Sequence, residues 1–236
     1  MNTVVVLQSN YIPWKGYFDL VNDADIFIFY DDNQYTHNDW RNRNKIKTSS
    51  GAEWLTIPVG SGTHRLICEV EIKSASWQSK HWKSIQQNYG KCPWFSKYRG
   101  FFEYFYLEKM WSNLSELNQH LIRSVSHELL GVVTEFRDSR DFSLSGRKLD
   151  KLMDLVTKAG AERYISGPAA KDYIDPVRFA GAGIELVWKT YSGYPEYPQR
   201  FPPFEHGVSI LDLLFNAGPD APWYIWGWRE GGSGPA

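Results

Sequence analysis

Two polar stretches near the amino terminus each follow a short apolar run, and both carry side chains able to bind charge or move a proton. Val4–Leu7 leads into QSNYIPWKGY, residues 8–17, and Ile26–Tyr30 leads into DDNQYTHNDWRNRNK, residues 31–45. In the second stretch the adjacent carboxyls of Asp31 and Asp32 suit accepting a proton, binding sugar hydroxyls or holding a divalent cation. The same residues also suit a plain turn, because Asp and Asn bond their own backbone. His37, in the same stretch, is the first candidate general base. His81, beside Trp77 and Trp82 on a predicted helix, is the second. Arg41 and Arg43 alternate with Asn42 and Asn44, and forked guanidinium donors match a nucleotide diphosphate. Gln34 and Tyr35 complete the candidate binding set of this loop.

In the first stretch Gln8, Asn10 and Tyr11 precede a predicted helix, whereas Trp14, Tyr17, Phe18 and Val21 recur at helical spacing. Tyr11, Trp14, Tyr17 and Tyr35 are candidates to stack a base or a sugar, although aromatic side chains also fill cores. A third stretch, SGPAAKDY at 166–173, adds Ser166, Gly167, Lys171 and Tyr173. Its small residues let a ligand approach the backbone, and Lys171 can neutralise phosphate. It lacks the Gly-Lys-Ser/Thr of a phosphate-binding loop. The six histidines show no metal-binding spacing, so no metal ligand set is expected, and no serine elbow is present.

These loops need a scaffold that brings strand ends together. Val4–Leu7 is a strand buried on both faces, followed by a helix and the strand Ile26–Tyr30, which implies a parallel pair with a right-handed crossover. Trp54–Val59 and Leu66–Ile72 read as two strands, and Ser76–Tyr89 as a helix. Leu114, Leu117, Leu121, Val125 and Leu129 form a helical stripe closed by Gly131. Strands at Val132–Phe136, Arg163–Ile165 and Ile184–Trp188 alternate with helices around 145–160 and Ser209–Phe215. The expectation is α/β, a mainly parallel sheet with flanking helices, in one domain over 1–230 with a linker-like tail at 231–236. Ligands of such sheets bind beyond the carboxyl ends of the strands, where strand order reverses.

Composition narrows the class. The chain has 236 residues, 42% hydrophobic and 22% charged, with a net charge of −1, which fits a globular protein and argues against a nucleic-acid partner. Cys68 and Cys92 match no zinc or redox spacing. No leader pattern and no stretch of about 18 uncharged apolar residues is visible, so no membrane span and a cytoplasmic location are expected. The segment Trp94–Trp111, WFSKYRGFFEYFYLEKMW, is dense in aromatics and fits either a packed helix or a contact surface.

The span QSNYIPWKGYFDLVNDADIFIFYDDNQYTHNDWRNRNKI, with WLTIPV, AGAERYISGPAAKDYID and VSILDLLFNAG, resembles the WbqC-like family over nearly the whole chain. The resemblance implies a place with bacterial O-antigen and other surface-polysaccharide (lipopolysaccharide) assembly enzymes. Val21 stands where the family has Ile, and His37 falls in a variable stretch. A second likeness is to nucleotidyltransferases and pantoate–β-alanine ligase, which implies a nucleotidyltransferase-like Rossmannoid core. There, however, Trp14 and Tyr17 replace the two histidines of the phosphate-binding turn, and neither residue can act as a cationic imidazole.

Together these readings lead to an acyl or aminoacyl transferase that forms an amide on a nucleotide-linked amino sugar. Acyl-CoA, or ATP plus an amino acid, would be the co-substrate. Glycosyl or nucleotidyl transfer over a metal at Asp31–Asp32, and a non-catalytic scaffold, are the alternatives. The sequence leaves the oligomeric state open, a homodimer included.

Overall fold

The computed structural model describes residues 1–231, so 232–236 of the expected tail lie outside the described residues. The chain runs β1 (Thr3–Leu7), α1 (Lys15–Asn22), β2 (Ile26–Phe29), then a hairpin of β3 (Arg43–Thr48) and β4 (Gly51–Thr56). Next come α2 (Ser76–Tyr89), α3 (Phe95–Glu103), α4 (Leu114–Ser124), β5 (Glu135–Asp138), α5 (Leu149–Lys158) and β6 (Arg163–Ser166). It ends with α6 (Pro176–Gly181), β7 (Glu185–Trp188), α7 (Ile210–Ala217) and α8 (Ala221–Ile225).

The sheet has five strands in the order β5-β2-β1-β6-β7, and every pairing is parallel. The fold is α/β, as the apolar runs predict. Side chains alternate across the strands, and each face takes its own layer of helices. Val4, Val6, Ile26 and Ile28 pack with Leu152, Leu155 and Phe179 of α5 and α6. Val5, Phe27 and Phe29 pack with Phe18, Leu121 and Phe215 of α1, α4 and α7. The register Val4↔Ile26 and Val6↔Ile28 keeps each set on one face. Counting only its own strands, the sheet runs 3-2-1-4-5. Direction therefore reverses between β1 and β6, the place where sheets of this kind bind ligands beyond the strands' carboxyl ends.

Two local expectations are corrected. The strand near Trp54 is β4, and it pairs antiparallel with β3, not with Leu66–Ile72. Residues Ile67–Glu69 form a single 3₁₀ turn. β3 reads as a loop because Arg43, Asn44, Lys45 and Lys47 leave it a single apolar residue, Ile46. In the aromatic segment, Phe95, Tyr98, Phe102, Phe105, Tyr106 and Trp111 are buried, which makes it chiefly a packed helix continued by a π-helical turn at Tyr104–Glu108.

The segment after β7 wraps back over α1. Ser209 N–H donates to the Lys45 carbonyl at 2.8 Å, and Ile210 N–H donates to the Pro13 carbonyl at 2.8 Å. Beneath this wrap lies Asp19, fully buried. It accepts from Arg229 Nη1 at 2.8 Å and from the Tyr194 hydroxyl, and it pairs with Lys189 Nζ at 2.9 Å. Burial pushes the Asp19 carboxyl up, but the bonds from Arg229, Tyr194 and Lys189 outweigh it and hold the pKa below the ordinary value. Such a group stabilises the fold fully above its unfolded pKa, and the contribution fades as pH falls through the folded one. Asp19→Asn should therefore cost about 3 kcal/mol near neutral pH, the low end for breaking a buried ion pair, because Lys189 keeps Asp23. Urea titrations should show the wild type losing this advantage as pH drops below 4, with the two proteins converging; a constant gap down to strong acid would contradict it.

Candidate functional site

At the carboxyl end of β1 the first two loops meet on Arg41. Its Nη1 donates to Asn10 Oδ1 and its Nη2 to Gln8 Oε1 at 3.2 Å, while Asp39 lies 3.6 Å away. The side chain is 13% exposed, so its position is set by these partners and not by solvent. Two amide carbonyls orient the guanidinium without cancelling its charge, and Asp39 offsets it only in part. The Asn118 amide fixes the Arg41 carbonyl at 2.8 Å, tying the loop to α4.

The RNRNK alternation resolves into two jobs. Asn42 and Asn44 are buried. Asn42 Nδ2 donates to the Ile57 carbonyl at 2.9 Å, and its Oδ1 accepts from the Tyr35 hydroxyl at 3.0 Å. Asn44 Nδ2 donates to the carbonyls of Tyr11 and Ile12 at 3.0 and 2.8 Å. Those two bonds restrain Ile12, whose φ is +35°. A β-branched residue in that region costs about 1–3 kcal/mol, and such strain persists only where neighbours over-determine it. Arg43 and Lys45 turn the other way, over the ring of Trp54.

A cavity of about 330 Å³ opens beside this cluster, lined by Asn10, Pro13, Trp14, Trp40, Asn44 and Gly207. Trp14 is half-buried and forms one wall, backed edge-on by Tyr191 at 5.4 Å and Tyr194 at 6.0 Å. Its indole folds back over Gly16, where a Cβ would overlap the ring. The Trp-x-Gly spacing is thus a steric requirement of this wall.

Several candidates take other roles. Tyr11 and Tyr35 are fully buried, so neither ring face can stack a ligand. The Tyr11 hydroxyl bonds His81 Nδ1 at 2.9 Å and the Tyr106 hydroxyl at 2.7 Å. Burial holds the His81 pKa down at about 4, against a weaker upward pull from the Thr56 backbone. His81 is therefore a neutral core residue near pH 7, enclosed away from substrate. Tyr17 is buried as well, and its hydroxyl donates to the Gln8 carbonyl at 3.1 Å.

Asp31 is fully buried and accepts from Ser9 N–H at 2.8 Å, Ser9 Oγ at 2.7 Å, Ser115 Oγ and Gln119 Nε2 at 3.3 Å. This corrects its reading as a proton acceptor or metal ligand, since its lone pairs are spent inside the protein. Asp32 pairs with Lys151 Nζ at 2.6 Å and accepts from Ser139 Oγ at 2.6 Å. Among the described residues no cluster of three or more His, Cys, Asp or Glu could hold a metal ion. His37 and Gln34 are exposed on the loop.

The third loop joins only through its first residues. Ser166 ends β6, buried, and the Tyr191 hydroxyl stands 3.5 Å from where a Gly167 Cβ would be. Tyr191 then packs on Trp14. Lys171 lies over Trp188 at 5.6 Å, and Tyr173 is exposed, so both occupy the rim.

Residues outside the candidate set also shape the site. Ser9, Ser115 and Gln119 saturate Asp31, and Tyr191 supports Trp14. Lys15, buried directly after Trp14, is caged by Tyr194, Tyr197 and Phe204 at 5.1–5.6 Å. Burial lowers its pKa to about 8, against the pull of Asp212 and Glu196. Only the unusual Lys between Trp14 and Gly16 hints at this in the sequence; the cage comes from residues some 180 positions away.

The Trp14 wall can be tested through Gly16. Gly16→Ala forces the indole off the first turn of α1, and overpacking of this kind costs about 1–3 kcal/mol. Tryptophan emission should shift red and any ligand of the cavity should bind more weakly; unchanged emission and stability would remove the steric argument.

Comparison with known proteins places this geometry in a family. Residues 8–224 match the WbqC-like protein family, which takes in all three loops and α7. The uncharacterized protein Rv1507c of Mycobacterium tuberculosis is 43% identical over 227 residues, spanning 95% of this chain and 98% of that protein. No solved structure matches the chain. The match over almost its full length shows that the chain belongs to the WbqC-like protein family.

Proposed function

We propose that this chain is a transferase of surface-polysaccharide assembly that forms an amide on the amine of a nucleotide-linked amino sugar. The observation that carries the reading is Arg41, oriented by Gln8 and Asn10 beside an aromatic-walled cavity past the carboxyl end of β1, one of the two strands that flank the sheet's switch point. An arginine oriented by two amide carbonyls and only partly offset by Asp39 keeps charge for an anionic group, and a diphosphate is the anion such a substrate carries. Trp14 and Trp40 offer flat walls to the sugar.

In this chemistry the sugar amine attacks the acyl carbon, the donor's leaving group departs with the bonding electrons, and the nitrogen loses a proton. The proton acceptor must reach solvent and substrate. Asp31 and His81 are enclosed and Asp32 is tied to Lys151 and Ser139, which leaves His37 on the exposed crest of the Arg41 loop as the candidate. Trp14 and Tyr17 are both neutral, and the Tyr17 hydroxyl is engaged by the Gln8 carbonyl, so the turn offers no cationic imidazole in place of the missing histidines. That favours an acyl-CoA donor over adenylation with ATP plus an amino acid.

Wild type and Arg41→Ala should be incubated with amino-sugar nucleotides and acyl-CoA donors, and separately with ATP plus amino acids, with products read by mass. The expected result is an acylated sugar nucleotide from the wild type and at least about a 100-fold slower reaction in the variant, the scale of losing a charge-assisted bidentate contact. No mass gain with any pair would overturn the reaction, and equal rates in the two proteins would overturn the site.

A further inference from the structure

Beyond the cavity, Trp40 in the loop before β3 and Trp54 on the outer face of β4 form an exposed pair. Trp40 is 41% exposed and Trp54 42%, with ring centroids 5.2 Å apart and planes inclined at 40°. The Arg43 guanidinium lies over Trp54 at 4.2 Å, and Lys45, the cross-strand neighbour of Trp54, brings its ammonium to 5.1 Å. The terminal nitrogens of Arg43 bond only the Asn38 side chain and carbonyl. Among the described residues neither Arg43 nor Lys45 has a carboxylate at ion-pair distance, whereas Arg41 next door has Asp39. Two large aromatic surfaces and two uncompensated cations therefore share one patch, and Trp40 belongs to both this patch and the cavity wall.

A solvated hairpin needs none of this, since charged or Thr side chains would cover its outer face without leaving indoles in water. A stacking surface does. Aromatic planes take up heterocycles whatever their edges, and flanking cations attract the attached phosphate. We propose that the Trp40–Trp54 pair is the nucleobase subsite of the sugar nucleotide, an assignment that rests on the function proposed above. The ligand then has a direction: sugar in the cavity against Trp14, diphosphate along Arg41 and Arg43, base outside on the indoles. Stacking reads ring faces and not base edges, so the identity of the base is read weakly. Purines, with the larger ring, bind at least as well as pyrimidines.

Calorimetric titration of wild type, Trp54→Ala, Trp54→Phe and Arg41→Ala with UDP-hexosamine, GDP-hexosamine and hexosamine 1-phosphate tests this. Trp54→Ala should weaken both nucleotide sugars about 10-fold or more, as loss of one base stack does. It should leave hexosamine 1-phosphate unchanged, and Trp54→Phe should recover most of the affinity. If Trp54→Ala binds the nucleotide sugars as the wild type does, or weakens the sugar phosphate equally, the base subsite is overturned. Loss of all three ligands in Arg41→Ala alongside that result would leave the site reading standing. A wild type that binds none of the three overturns both proposals.

Discussion

The site depends on one enclosed carboxyl group. Asp31 sits just past β2 with no exposure to solvent, and a charge in that position is tolerated only if its lone pairs are met by donors. Those donors come from two directions: the backbone and hydroxyl of Ser9, just past β1, and Ser115 with Gln119 on α4. Satisfying Asp31 thus stitches the end of β1 to the long excursion between β2 and β5. The same stitch sets Gln8 and Asn10, on either side of Ser9, where they grip Arg41. Gln119 passes the network to Asp138 at the end of β5, and Arg140 closes it at the surface. Three strand ends are locked by polar bonds that a shifted register would leave unmade.

Rigidity of this kind explains why strain is tolerated next door. Ile12 holds a left-handed conformation directly before Pro13, an arrangement the chain would abandon if unrestrained. Asn44 grips the carbonyls on both sides of it, and Tyr11 N–H donates to the Trp40 carbonyl at 3.0 Å. The sharp turn this enforces puts Trp14 back over Gly16 and Trp40 across the cavity from it.

Much of the scaffold was legible because its signals are local. Continuous apolar runs such as VVVL and IFIF mark strands buried on both faces, and the spacing of Tyr17, Phe18 and Val21 marks α1. The strand near Trp54 was legible but its partner β3 was not, since Arg43, Asn44, Lys45 and Lys47 are poor strand formers whose pairing comes from tertiary contacts. At the site, Gln8, Asn10 and Arg41 were readable as polar residues where a buried strand ends. The roles of Tyr11, Tyr35, Asp31 and His81 were not. Whether a polar or aromatic side chain faces a ligand or the core depends on what packs over it: α2 brings His81 onto Tyr11, α4 closes over Asp31, and Arg65 lies over Tyr35, all from farther along the chain.

The carboxyl-terminal wrap shows the same dependence at larger scale. Lys15 stands next to Trp14, yet its environment is written almost 200 residues later, in Tyr194, Tyr197 and Phe204. An ammonium surrounded by ring faces keeps part of its stabilisation through cation–π attraction while losing its water, which is why burial still lowers its pKa. On the next turn of α1, Asp19 receives Lys189 and Arg229 from the same returning segment. The wrap therefore docks on α1 by opposite charges at one point and by aromatic contact at another. Because Gly207 of this segment also lines the cavity, the fourth side of the site is complete only when the last 40 or so residues have folded onto the first helix.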